Sequence, residues 1–225
     1  MMRFYIFVIT IFLCGFRAAA QDKILVAGSG NPFILLVDKQ TGKVEWKHSL
    51  EKGEECNTVA LTKDGNVLYS YKKGAKVVTW DHQVVWDFPA PDKTELQSAT
   101  ILRNGGFLLG ICGNPARFIE LDKKGRKVNE TTFDLGIEKP HSQFRQVFQL
   151  KNNLIPVMAK RKVIEISRKG KLIAEHKIDG GAFSSLELSD GNLLLPCGDV
   201  HYYIVIDRNT GKELKRVTSQ EVKGA

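Results

Sequence analysis

The residues best suited to chemistry stand four apart in "PHSQFR", residues 140–145: His141 and Arg145. An imidazole that titrates near neutrality can act as nucleophile or general base, and a guanidinium beside it can clamp an anion or steady spreading oxyanion charge. No serine or cysteine with its own base and orienting group accompanies them in the sequence, so they are candidate catalytic residues only as a pair. The chemistry they allow is transfer, elimination or hydrolysis on an anionic substrate. The plainer alternative is a histidine and an arginine in a polar connection between strands.

The remaining candidates exclude more than they offer. His48, His82, His176 and His201 are scattered through the chain, with expected places in different parts of the fold. Cys56, Cys112 and Cys197 have no metal-ligand spacing; their odd number allows at most one internal disulfide and leaves a free thiol. The run "VAGSGNPFILLVD", residues 26–38, suggests a phosphate-cradling loop, yet a dinucleotide fingerprint needs a third glycine and a helix directly after it. Pro32 and the β-rich "FILLVD" follow instead, so these glycines serve a turn between strands. No metal and no cofactor is expected.

At its start the sequence carries Arg3, an apolar run from Phe4 to Phe16, and Ala18-Ala19-Ala20. This is the pattern of a secretory signal peptide over 1–20, with a mature chain from Gln21. The run is too short to cross a hydrocarbon layer of about 30 Å as a helix, so no transmembrane segment is expected after cleavage. The place of the protein is then periplasmic or extracellular. Anchoring through a lipid on Cys14 is the minor alternative, opposed by Leu13 where such signals carry a small residue. The whole sequence has 33 Lys and Arg against 25 Asp and Glu, a formal charge of +8. The lysines are spread through turns such as "DKKGRK", which reads as a solvated basic surface, and no nucleic-acid partner is expected.

What must position His141 and Arg145 is a repeat. Four stretches, 54–90, 95–134, 141–179 and 182–218, each hold four short apolar strands, and a partial unit covers 23–50. Tight turns at Asp64-Gly65, Asn104-Gly105, Asn152-Asn153 and Asp190-Gly191 join the first two strands of each, and such pairs supply the positive φ of hairpin turns. The third strand ends in Asp38, Asp81, Asp122, Ser167 or Asp207, at steps of 43, 41, 45 and 40 residues. That period belongs to propeller blades. The fold class is therefore all-β: a β-propeller of four-stranded blades spanning 21–225, about five of them present. The first unit lacks an inner strand, and residues after 218 look too few to supply it. The expectation is an open ring, or part of a native ring of six or more.

"LVDKQTGKVEW", residues 36–46, resembles the docking repeat of the PQQ-like (quinoprotein-like) β-propellers, with matches at Asp38, Thr41, Gly42, Lys43 and Trp46. "VIDRNTGKELK" is similar at Asp207, Thr210, Gly211 and Lys212 but has Lys215 in place of the tryptophan. The resemblance implies that Trp46, and by position Trp86, pack between blades. It also implies that a quinone-dependent oxidation would need adjacent cysteines, which this chain lacks. "PHSQFRQVFQLKNN" is similar in rhythm to the arylsulfotransferase propellers, which implies the nucleophile or base role for His141 and the anion clamp for Arg145.

In a propeller, loops converge around the axis, and two sets of residues are placed to do so. The turns between second and third strands offer Asn31, Lys72, Lys73, Asn114, Arg117 and Arg161; the segments leading into inner strands offer Glu55, Asn57, Glu95, Gln97, His141, Gln143, Arg145 and Ser184. The expected ligand-binding residues are Asn57, Gln97, Gln143, Arg145, Arg117 and Ser184. Amides with a cation suit a carbohydrate or protein ligand, and the expected function is a binding or scaffold module without catalysis. The rival is a propeller-type enzyme. Convergence of His141, Arg145 and a carboxylate at one channel mouth would favour chemistry, and their dispersal would favour the binding module.

Overall fold

The structure is a computed structural model, and it describes residues 22–218 other than Ser29, Leu154 and Lys160. The expected leader, and the question of what residues 219–225 pair with, lie outside the described residues. Among the described residues, nineteen strands form five antiparallel sheets, each a meander. Sheet 1 has three strands, β1 (Lys23–Val26), β2 (Phe33–Asp38) and β3 (Val44–Ser49). Sheet 2 has β4 (Thr58–Leu61), β5 (Val67–Tyr71), β6 (Gly74–Val78) and β7 (Val84–Pro89). Sheet 3 has β8 (Glu95–Ile101), β9 (Phe107–Cys112), β10 (Ala116–Leu121) and β11 (Lys127–Phe133). Sheet 4 has β12 (Phe144–Val147), β13 (Ile155–Ala159), β14 (Lys162–Ile166) and β15 (Leu172–Lys177). Sheet 5 has β16 (Leu186–Glu187), β17 (Leu193–Cys197), β18 (Tyr202–Ile206) and β19 (Glu213–Thr218). Helix among the described residues is confined to two 3-10 turns, Pro140–Ser142 and Gly198–Val200. This is an all-β propeller.

The strands form where the sequence is rich in β-branched and aliphatic residues, and β6, β9, β10 and β14 of sheets 2 to 4 are buried almost throughout because a sheet covers each of their faces, whereas β2 and β18 of the end sheets are mostly half-buried. Each gap between successive sheets holds its own apolar cluster. Ile34, Tyr69 and Val78 fill the gap between sheets 1 and 2, and Leu68, Leu96 and Leu109 that between sheets 2 and 3. Phe118, Phe144 and Ile164 serve the third gap, and Val163, Leu195 and Ile204 the fourth. Near the axis, small hydroxyls zip neighbouring inner strands together. Thr58 Oγ1 takes the Ala99 amide at 2.9 Å, and Ser98 Oγ takes the Val147 amide at 3.1 Å.

The turn after the third strand corrects one sequence assignment. Asp38, Asp122, Ser167 and Asp207 accept amides of the following turn. In sheet 2 the residue in that role is Thr79, whose Oγ1 accepts the Gln83 amide at 3.2 Å, and not Asp81. A hydroxyl on a β-branched residue does the work of the carboxylate there, so the repeat frame runs through Thr79. The left-handed position of these turns is Gly42, Gly125, Gly170 and Gly211, but in sheet 2 it is His82, at φ 66°.

Those glycines explain how sheets dock. A Cβ on Gly125 would collide with the Trp86 ring, and one on Gly211 would meet His176 Nδ1 at 2.5 Å. The outer strand of each sheet thus lays a side chain on the next sheet's turn. Trp46 Nε1 donates to the Trp80 carbonyl at 2.8 Å, Thr131 Oγ1 to the Arg168 carbonyl at 2.6 Å, and His176 Nε2 lies 2.7 Å from the Arg208 carbonyl. Where tryptophan is absent, an ion pair ties the sheets: Arg168 to Glu120 and Arg208 to Glu165. Trp46 and Trp86 are docking residues, as the resemblance of the repeat implies.

Candidate functional site

A meander puts its first-to-second and third-to-fourth turns on one face and its second-to-third turns and inter-sheet connections on the other. A concavity of about 640 Å³ opens on the second of these faces. All five sheets line it: Gly28 from sheet 1, the run Glu55 to Val59 leading into β4, Gln97 of β8, His141, Arg145 and Gln146 around β12, and Phe183 and Ser184 before β16. It is the mouth of the central axis. A pocket of about 210 Å³ between sheets 2 and 3 rests on the docking residue Trp86, and Lys63, Asp64, Asn66, Lys123 and Lys124 from the turns line it on the opposite face from the axis mouth.

Pro140 begins the 3-10 turn that carries His141, and the chain then enters β12. That turn delivers His141 to Glu95, which begins the neighbouring inner strand β8. The imidazole Nδ1 donates to Glu95 Oε2 at 2.9 Å, which leaves Nε2 as the acceptor nitrogen. Lys72 lies 3.0 Å from the other carboxylate oxygen, and Gln97 Nε2 donates to Oε2 at 2.9 Å. Burial alone would raise the Glu95 pKa, but the hydrogen bonds from His141 and Lys72 outweigh it and hold the carboxyl below its usual value. Glu95 is therefore an ionised, nearly buried anchor for His141.

Arg145 donates to the carbonyls of His141 and Phe144, which ties the guanidinium to the turn that carries the imidazole. Among the described residues it has no carboxylate partner, although it lines the cavity. Asn57 Nδ2 donates to the Leu96 carbonyl at 3.1 Å and Gln146 Oε1 accepts the Ser185 amide at 3.0 Å, so both amides are held in place. Cys56 is buried in the wall; burial, helped by Glu54, pushes its thiol up to about 12, far from a neutral-pH nucleophile. Cys56, Cys112 and Cys197 are all free thiols, with no disulfide among them.

Asn57, Gln97, His141, Arg145 and Ser184 thus come together as the sequence suggested, and His141, Arg145 and the Glu95 carboxylate converge at one mouth. Two expected ligand-binding residues do not. Gln143 is 1% exposed and spends its amide on Gly113 and the Ile137 carbonyl, so it clamps a connection. Arg117 is paired to Glu130 across β10 and β11 at 2.6 Å, away from the axis. Cys56, Gln146 and Phe183 were missed; each is the immediate neighbour of a residue that was found, and reading whole approach segments would have included them. His48 and His82, expected apart, meet across sheets 1 and 2 with their Nδ1 atoms 3.2 Å apart and Trp46 stacked on both.

Comparison with known proteins agrees with this architecture. A family model described as Mal s 1 allergenic protein-like matches residues 31–225. The crystal structure of a protein of unknown function from Bacteroides caccae is similar at 40% identity and a TM-score of 0.84, over 89% of this chain and 74% of that one. A streptogramin B lyase is similar at 14% identity and a TM-score of 0.66, over 89% of this chain and 66% of that one. A catalytically inactive histidine-to-alanine variant of virginiamycin B lyase from Staphylococcus aureus, with quinupristin, is similar at 15% identity and a TM-score of 0.62, over 89% and 71%. At such identities the two lyases share the fold alone. No curated protein matches the chain.

Proposed function

The chain belongs to the Mal s 1 allergenic protein-like family, and from that premise we propose that it is an exported β-propeller that binds a carbohydrate or peptide ligand at the mouth of its axis. One observation carries the reading: Arg145 faces a cavity lined by all five sheets and has no carboxylate partner among the described residues. A cation so placed accepts an anionic group, and a charged hydrogen bond of that kind is worth about 1.5–3 kcal/mol. The held amides of Asn57, Gln97 and Gln146 and the hydroxyl of Ser184 suit the polar body of such a ligand, and Phe183 offers it an apolar wall. The quinoprotein-like resemblance supports shared blade construction, and the reading calls for no quinone.

The test is a glycan and peptide panel run on the wild type, Arg145→Ala and His141→Ala. Ligands that bind the wild type should lose about ten- to hundredfold in affinity on Arg145→Ala. Binding that survives both changes would remove this site.

A second reading is favoured by the Glu95–His141 hydrogen bond. A base held in one tautomer by a buried carboxylate, next to an anion clamp, is the arrangement for proton abstraction, and fold neighbours include lyases. In that case bound ligand is also converted, and mass spectrometry of wild-type incubations would show a product that His141→Ala does not form.

A further inference from the structure

The two faces of the propeller differ in charge. Segments between first and second and between third and fourth strands hold thirteen Lys and Arg against five acids. Among the described residues, the segments of the opposite face, which surrounds the candidate site, hold six against eight, so the excess positive charge of the loops lies on the turn face.

On that face three cations occupy one repeat position and reach in sequence from sheet to sheet. Lys63 Nζ donates to the Arg103 carbonyl at 2.8 Å, and Arg103 donates to the Lys151 carbonyl. Lys151 Nζ in turn donates to the carbonyls of Leu188 and Ser189, at 3.2 and 3.4 Å. Backbone acceptors hold these side chains without neutralising them. The result is a file of exposed charges, one per sheet, running across sheets 2, 3 and 4. Beside it, the outer turns of sheets 3 and 4 add exposed Lys123, Lys124, Lys169 and Lys171. Arg126 and Arg168, from the same turns, are spent on Asp122 and Glu120; among the described residues the four lysines have no carboxylate partner.

We infer that this turn face binds an acidic polysaccharide, independently of the ligand proposed for the axis. A fixed file with one charge per sheet matches a linear polymer whose charge repeats, and long-range fields of one sign draw such a polymer in. Each inner turn also carries an amide within three residues of its cation, Asn66 with Lys63, Asn104 with Arg103 and Asn153 with Lys151, which suits a chain alternating hydroxyls with anions. Single-stranded nucleic acid would call for a series of aromatic platforms, and among the described residues these turns expose one, Trp80, since Phe148 packs against the cluster between sheets 4 and 5. A fluid anionic bilayer also attracts surface lysines, but its mobile headgroups do not select a file of fixed spacing.

The test uses the full chain with immobilised sodium polygalacturonate and dextran sulfate. Changing Lys123, Lys124, Lys169 and Lys171 together to alanine should weaken binding to either polymer on the order of tenfold, since exposed ion contacts are individually small. Added salt should weaken wild-type binding in the same direction. Changing Lys52, Lys73 and Lys139 of the opposite face to alanine, or Arg145→Ala, should leave polymer binding within about twofold. The inference is overturned if the four-lysine variant binds as the wild type does while its circular dichroism is unchanged. It is equally overturned if duplex DNA or phosphatidylglycerol vesicles bind the wild type more tightly per charge than both polymers.

Discussion

Replacing Arg208 by methionine tests the way sheets 4 and 5 are joined. Arg208 Nε donates to Glu165 Oε1 at 2.8 Å, and Nη1 reaches Glu187 at 3.3 Å. The side chains of Arg208 and Glu165 are 14% and 2% exposed, so water cannot take over the lost partner's role. Removing one member of a buried pair strands the other charge and costs about 3–5 kcal/mol, a large part of the 5–15 kcal/mol that holds a typical domain folded. Glu187 is not stranded, because it also accepts the Lys151 amide at 2.9 Å; the cost therefore comes from Glu165. Adding Glu165→Leu removes the orphaned charge and should recover most of the loss, since an apolar replacement of a buried pair is often neutral. Urea unfolding followed by far-ultraviolet circular dichroism gives the midpoint and slope for each variant, and hydrogen exchange in β18 and β19 localises the change. A single-variant cost below about 1 kcal/mol at unchanged slope would mean that the pair is solvent-screened, and the reasoning fails.

The His48–His82 contact makes stability depend on pH. Burial, then the neighbouring His82, holds His48 below the ordinary imidazole value of 6.5, with Glu54, Lys76 and Tyr69 as the other groups around it. The folded state therefore binds the proton less readily than the unfolded chain, so its stability is full above pH 6.5 and declines as pH falls below it. His82→Gly, which restores the glycine of the other turns, should raise the thermal midpoint at pH 5.5 more than at pH 8; an equal shift at both would exclude the pair as the cause. Trp46→Phe keeps the ring stack and loses the hydrogen bond to the Trp80 carbonyl, a loss of about 0.5–1.5 kcal/mol. Faster exchange confined to β1–β3 would locate it there, and no change in exchange would contradict the docking role.

Much of this was readable because a propeller repeats its chemistry. Asp-Gly and Asn-Gly turns and aliphatic strands recur at the blade period, and Gly65, Gly105 and Gly191 take the left-handed conformation those turns need. Position in the repeat alone also separated residues that approach the axis from those in the outer strands. Thr79 escaped because a hydroxyl and a carboxylate look unlike in sequence yet accept the same amide. Arg117 and Gln143 were misplaced because repeat position gives no side-chain partner: Glu130 and the Gly113 backbone claim them.

By itself, the sequence determined the fold class, the order of strands, and which segments lead to the axis. These follow from periodicity and local turn chemistry, which act between residues close in the chain. Only the tertiary structure decided that Glu95 holds His141, that Arg145 faces the cavity without a carboxylate, that His48 meets His82, and that Lys63, Arg103 and Lys151 form one file. The contacts among these join residues from different sheets, 34 to 48 positions apart, and the cavity that Arg145 lines needs all five sheets. Such pairs are set by how sheets pack around an axis, and no local pattern in the chain records them.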